Sequence, residues 1–384
     1  MADYKLVVYD VDDNLSKVAE ITDFISIVEY QVENGISTLT FEIRGDHPAK
    51  TYLVDKAMVI LWRRMPEYGV DWYREFITIL RDEEHSYVNQ KYRSKYKCFG
   101  LNHITSWRII AFPAGSADAN VFTADRPEII AFEIAWKNAA LFDIYGRLRS
   151  PFINLWGHPK VTSGVQTFLA DLARSFNWYC FGANVLDESV RVLEPIGGFI
   201  DNFLGSQTGR FTIDLVGNRF DWFADKGISY GDVVFSLGNG NMADPIYKIT
   251  RSQEKTVAMV AGQGDEDDRD IVFVTGEGYS ATNDIEMFVD ARDIDAGDTD
   301  GLEARGAAKL EETRVREEFS FTVLQTPSSA YGLHYRLHQP VRAIWEDVDI
   351  ILAVTSVSIQ LKEGDPKEYI DIGVTVVGDT QTGV

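Results

Sequence analysis

Cysteine is nearly absent: Cys98 and Cys180 are the only two in 384 residues. Two cysteines are too few for a disulfide framework. Each sits in an apolar setting, Lys97-Cys98-Phe99-Gly100 and Tyr179-Cys180-Phe181-Gly182, so buried free thiols are expected. Positive charge is also short, with 37 Lys and Arg against 59 Asp and Glu, a formal net charge of −22. A chain this acidic repels phosphate backbones, which argues against sequence-specific nucleic-acid binding. Solubility alone explains many of these charges, although a pore lined with carboxylates would also let DNA slide through without sticking. No apolar run approaches the length of a membrane span. The opening Met1-Ala2-Asp3-Tyr4-Lys5 leads into a strand pattern rather than a signal peptide, so a soluble, cytoplasmically made protein is expected.

Catalytic and ligand signatures are missing as well. Six histidines are scattered along the chain. His334 and His338 have the spacing of a helical zinc pair, but only Tyr335, Arg336 and Leu337 lie between them and Pro340 follows, so the metalloprotease pattern fails. The stretch Asp284 to Glu303 holds eight carboxylates and a single basic residue, Arg292. Asp293, Asp295, Asp298 and Asp300-Gly301 miss the calcium-loop spacing, and a solvated loop is the simpler reading. Gly262-Gln263-Gly264 follows a strand, yet Asp265-Glu266-Asp267-Asp268 follows where a phosphate would need helix amides. There is no Gly-x-Ser-x-Gly elbow. No catalytic, cofactor-binding or metal-binding residue is therefore assigned, and no cofactor is expected. Paired carboxylates are too numerous for any pair to stand out, so a hydrolase remains an alternative, as does a glycan-binding module using Trp156 or Trp222.

What the chain does have is aromatic surface and strand pattern. Eight Trp, seventeen Tyr and twenty-two Phe make up 12% of the residues, side chains that suit sheets and subunit interfaces. The length implies more than one domain. Residues 1–111 read as a β unit. Phe24 to Val32 and Ile36 to Ile43 flank Glu33-Asn34-Gly35, a hairpin signal, and Met58 to Arg64, Trp72 to Leu80 and Lys91 to Phe99 are further strands. Asp82-Glu83-Glu84-His85 between the last two reads as a solvated turn. Residues 112–231 read as a mixed α/β insert. One helix is expected from Arg126-Pro127 to about Tyr145, and a second from Thr162-Ser163 through Val165, Phe168, Leu169, Leu172 and Phe176, ended by Asn177. Trp178 to Phe181 and Val190 to Leu193 read as a small hairpin. Residues 232–384 return to strands, among them Phe319 to Leu324, Val341 to Trp345, Ile350 to Leu361 and Tyr369 to Val377, with one helix at 300–316. The fold class expected is mainly β with an α+β insert: two β-barrel or sandwich-like tube domains separated by a mixed helical insert.

Five segments, taken in order, resemble the tail hub proteins of long-tailed bacteriophages, siphophage type. These are Tyr4 to Phe41; Ala131 to Asn138 with Gln166 to Ala173; Val233 to Ser236 with Tyr247-Lys248, Lys255 to Ala258, Gly262 to Gly264 and Arg269; Phe288 to Ile294; and Arg305-Gly306 with Lys309-Leu310 ahead of Phe319 to Leu324. The match departs between Pro195 and Gly231, a segment rich in Phe and Trp whose role is unassigned. The resemblance implies a non-enzymatic structural virion protein at the tail tip, made in the host cytoplasm. It implies a homotrimeric ring with pseudo-sixfold symmetry, a distal tail protein ring above and a tail fibre or spike below. Tape measure protein and passing DNA would occupy the lumen without specific binding, and no membrane is involved.

Overall fold

A computed structural model describes residues 2–10, 16–110, 120–125, 159–160, 174–178, 187, 199–203, 219–223, 233–264, 269–282, 284–365 and 367–376. The chain is mainly β, as expected. Its strands are β1 (Asp3–Asp10), β2 (Ser16–Ile21), β3 (Ser26–Val32), β4 (Thr38–Arg44), β5 (Met58–Met65), β6 (Val70–Val88) and β7 (Lys91–Gly100). A short helix α1 (Asn102–Ser106) follows, then β8 (Asn120–Asp125), β9 (Pro159–Lys160), β10 (Arg174–Trp178), β11 (Phe199–Phe203), β12 (Arg219–Phe223), β13 (Val234–Ser236), β14 (Met242–Thr250), β15 (Val257–Ala261), β16 (Ile271–Thr275) and β17 (Glu286–Asp290). Helix α2 (Thr299–Glu312) precedes β18 (Arg316–Val323), β19 (Pro340–Trp345), β20 (Val348–Leu361) and β21 (Glu368–Val376).

Eleven strands form one sheet in the order β13-β19-β20-β3-β4-β7-β6-β5-β1-β2, with β21 also paired to β20. Strands from residues 1–111 and from residues 232–384 therefore share a sheet rather than standing apart on either side of the insert. The compact units follow this pairing: one comprises 1–244 with 321–380, the other centres on 245–320. The joint lies on β20. Its first half, up to Ala353, pairs with β19, and Ser356 to Leu361 pair with β3. At the handover the Glu33 amide donates to Thr355 O at 2.8 Å and the His338 amide to Val354 O at 2.9 Å, so the backbone groups freed by the change of partner are satisfied.

Alternation explains the inner face. Ile27, Leu39, Phe41, Ile43, Leu6, Val8, Val59, Leu61, Tyr96 and Cys98 are buried, and Phe41 stacks on Tyr96 with centroids 5.3 Å apart. Burial pushes the Cys98 thiol up to about 12, so it stays protonated and packs as a small hydrophobe. Cys180 lies outside the described residues.

Two local expectations are corrected. Asp82 to His85 is not a turn but part of β6, which runs 19 residues. The turn comes later, at Asn89-Gln90, both left-handed with φ of 52° and 61°, a conformation suited to two-residue hairpins. The acidic run stays extended because Asp82 and Glu84 lie opposite Lys97 and Lys95, which relieves like-charge repulsion across the ladder. Arg174 to Trp178 is not the end of a helix but strand β10, antiparallel to β8, with Phe176 opposite Phe122; strand pairing of aromatic residues wins over helical spacing. The expected helix at 126–145, most of the one beginning at Thr162, and the hairpin partner 190–193 lie outside the described residues.

In the second unit β15 pairs antiparallel with β16 and parallel with β17. Helix α2 covers one face of this sheet through Leu302, Gly306 and Leu310. Asp298 caps the helix by accepting from the Gly301 amide at 3.0 Å. The helix stops earlier than expected, because the Thr313 hydroxyl donates back to Lys309 O and Leu310 O and Arg316 already belongs to β18. Gly306 permits the contact: a methyl there would stand 2.6 Å from a Val274 methyl and 2.8 Å from one on Val260. Gly306→Ala is expected to lower stability by about 1–3 kcal/mol through overpacking, measured as a lower urea midpoint; an unchanged midpoint would show that the helix can retreat without cost.

Candidate functional site

Strands alternate, so a charged residue in phase with buried neighbours must enter the core. Glu29 is in phase with Ile27 and lies in a row between Ile359 and Leu39; it is fully buried, while Val28 and Tyr30 beside it are exposed. Arg63 is in phase with Leu61 and is buried. Glu75 enters through a β-bulge: Phe76 pairs with Leu61 and Arg74 with Trp62, which leaves Glu75 as the extra residue, its side chain 3% exposed.

Arg63 organises the cluster. Its Nη2 donates to Glu368 Oε1 at 2.5 Å and Oε2 at 2.9 Å. Its Nη1 donates to the Tyr73 hydroxyl at 3.1 Å and Tyr331 O at 3.0 Å, with Glu75 Oε2 3.8 Å away. The Tyr4 hydroxyl donates to Glu368 from β1. One guanidinium thus ties β1, β5, β6, β21 and the 331–335 loop together. Burial opposes its charge, but Tyr4, Glu75, Tyr73 and Glu368 outweigh it and hold the Arg63 proton more firmly than usual. Burial raises the Tyr4, Tyr73 and Tyr331 hydroxyls, so all three stay neutral. Burial, then the Glu75 carboxylate, pushes the Glu29 carboxyl well above the ordinary range. Gly332 is needed for the approach: its φ is +85°, and a Cβ there would lie 2.6 Å from both Arg63 Nη1 and the Tyr73 hydroxyl oxygen.

The opposite, wet face of the same sheet is a wall. Gln360, Val28 and Thr40 form one cross-strand row over β20, β3 and β4, and Ser358, Tyr30 and Thr38 form the next. These rows carry no charge. Flanking them, Lys97 and Lys95 on β7 lie opposite Asp82 and Glu84 on β6. Beyond, Tyr87 and Tyr92 pack at 4.4 Å near the hairpin tip.

The residues weighed from sequence find ordinary employment. His338 Nδ1 pairs with Glu33 at 3.0 Å and His334 Nδ1 accepts from the Ala330 amide at 3.0 Å, so the two do not converge. Asp293 pairs with Arg305 at 2.7 Å, and Asp298 is the cap described above. Arg269 donates to Gly262 O and Ala261 O at 2.9 and 2.6 Å, so the Gly262-Gln263-Gly264 loop is held by a guanidinium. Among the described residues no group of His, Cys, Asp and Glu is arranged to hold a metal ion, and no helix is long and apolar enough to cross a membrane. A surface depression lined by Glu42, Ser86, Asn89, Lys91 and Arg93 offers one carboxylate, which Arg93 already engages at 3.3 Å. Trp156 and the side chain of Trp222 lie outside the described residues. The buried cluster was missed from sequence, although Arg63 interrupts the apolar phase of Val59, Leu61 and Met65 and that interruption is its signal.

Arg63→Met should destabilise the fold by about 3–5 kcal/mol, because it strands Glu75 and Glu368 without their cation. Gly332→Ala should act in the same direction. Both are measured by chemical unfolding, and a surface control, Arg342→Met, should change little.

A family model described as Siphovirus ReqiPepy6 Gp37-like protein matches residues 157–373. No curated protein matches the chain. Among solved structures, the 43 kDa tail protein of prophage MuSo2 from Shewanella oneidensis superposes with a TM-score of 0.60 at 12% identity, over 98% of this chain and 100% of that one. A tail protein from Neisseria meningitidis MC58 gives 0.58 at 10% identity over 98% of each chain. Prophage tail protein gp18 from Listeria monocytogenes EGD-e gives 0.54 at 13% identity, over 97% of this chain and 94% of that one. The fold is thus shared with phage tail proteins, in line with the resemblance read from the five segments. With more than half of its length matched, the chain belongs to the Siphovirus ReqiPepy6 Gp37-like protein family.

Proposed function

We propose that the chain is a structural, non-enzymatic component of a phage tail, assembled as a homotrimeric hub ring at the tail tip. In this reading the ring joins a sixfold tail tube, through a distal tail protein ring, to a threefold fibre or spike, and DNA and tape measure protein pass through its lumen. Made in the host cytoplasm, the subunit ends in the virion. The observation that carries the proposal is the broad sheet whose central strands, β20, β3 and β4, are dry on one side and carry two uncharged rows, Gln360-Val28-Thr40 and Ser358-Tyr30-Thr38, on the other, while Glu42 in the following row is neutralised by Arg93. These rows of Ser, Thr, Gln, Val and Tyr offer DNA neither cations to bind nor a wall of like charge. The acidic pairs at its margin, Asp82–Lys97 and Glu84–Lys95, leave little net field.

Fold and family support a tail role. The non-enzymatic reading is supported by where the carboxylates of the core sit. Glu29 and Glu75 are enclosed, and Glu368 is engaged by Arg63, so they line no substrate cleft.

Two measurements test this. Light scattering on the purified protein should give the mass of three chains, and monomer at high concentration would count against the ring. In reconstituted virions, Thr40→Lys with Ser358→Lys should leave assembly intact and slow DNA ejection, because each lysine adds a phosphate contact; ejection at the unaltered rate would show that this face does not meet DNA.

A further inference from the structure

The Arg63 cluster contains more acid than base. Glu29, Glu75 and Glu368 share one buried guanidinium. Glu368 takes both of its Nη2 bonds, whereas Glu75 has only a 3.8 Å approach. Glu29 has less. Its Oε1 accepts from the Gln31 amide, and its Oε2 is buried with no hydrogen-bond partner. Oε2 of Glu75 is likewise buried without one. A buried carboxylate oxygen with no donor is an expensive position for an anion. A single proton placed on Glu29 removes that charge.

We propose that Glu29 carries a proton at neutral pH and that the cluster is a built-in proton switch whose discharge loosens the junction between the N-terminal and C-terminal strands. Most of the groups facing Glu29 favour this. Tyr4, Tyr73 and Tyr331 are held neutral by burial; Glu75 and Glu368 repel a further negative charge. The Gln31 amide, which donates to Oε1, and the Arg63 cation oppose it, but Gln31 leaves Oε2 unpartnered and the bonds of Arg63 go to Glu368, Tyr73 and the Tyr331 carbonyl. Arg336 stacks on the Tyr73 ring at 5.0 Å. The location gives the proton its leverage. Glu29 sits on β3 in register with Ile359 of β20, the pairing that joins the two ends of the sequence, and ionising it inside that row sets three anions, Glu29, Glu75 and Glu368, against one cation.

The sign of the pH dependence follows. The carboxyl binds its proton more tightly folded than unfolded. Once the pH passes the unfolded value of about 4.3, the unfolded chain releases a proton that the folded chain keeps. Stability is therefore full below that value, falls as pH rises, and levels off only when the folded carboxyl also ionises.

The test is thermal unfolding from about pH 5 to about pH 9 of the full chain, Glu29→Gln, Glu75→Gln and a surface control, Glu84→Gln. The wild type and Glu84→Gln should lose melting temperature as pH rises. Glu29→Gln, which keeps shape and neutrality, should lose less and melt a few degrees higher than wild type at the alkaline end. Infrared difference spectra supply a second readout: a protonated-carboxyl carbonyl band should be present in the wild type at neutral pH and absent from Glu29→Gln. Parallel melting curves for wild type and Glu29→Gln, or a wild type without the band, would overturn the proposal.

Discussion

A guanidinium buried among rings and carboxylates is the interaction on which the first unit depends. Arg63 touches β6, β21 and the 331–335 loop at once, through bonds of 2.5 to 3.1 Å. Apolar contact is non-directional and would tolerate several relative settings of these strands. A buried cation would not, because every misplacement leaves a charge without its partner. The hydrophobic core supplies most of the free energy, and the Arg63 network selects one arrangement.

The rest of the unit is organised around that selection. Gly332 exists as glycine so that backbone can approach the guanidinium. The bulge in β6 is where a straight strand yields a residue to it. The tyrosines contribute area with a neutral polar tip. In the second unit the helix lies on an apolar face; Arg305 and Asp293 pair at its surface, and Arg269 binds the backbone carbonyls of Ala261 and Gly262.

Much of this was legible in the sequence wherever local chemistry decides. Asn34-Gly35 marked its hairpin, and the period of two in Ile350 to Leu361 marked β20. Asp298-Thr299-Asp300 marked the start of α2, whereas Arg314 and Arg316, read as its last turn, lie beyond its end. The ordered set of weak segments identified the tail-protein resemblance. Where pairing decides, sequence misled. Asp82 to His85 looks like a turn until Lys95 and Lys97 stand opposite it, and Phe176 fits a helical stripe until Phe122 faces it. The sharing of one sheet by the two β segments was hidden for the same reason, since nothing local to β3 names β20 as its neighbour. The cluster itself was half visible. Glu29 between Val28 and Tyr30 looks like the wet position of a strand, and only the three-dimensional sheet shows that the phase is inverted there.

The β3–β20 pairing also bears on synthesis. A ribosome releases β3 and β4 more than three hundred residues before the strand that completes them, since β3 begins at Ser26 and β20 at Val348. Contacts so distant in sequence form slowly. Until β20 emerges, one edge of β3 is an open template for any other nascent strand. The chain is consequently committed to finishing its own sheet before that edge is safe from other strands, and the risk of mispairing falls on the interval of synthesis between β4 and β20.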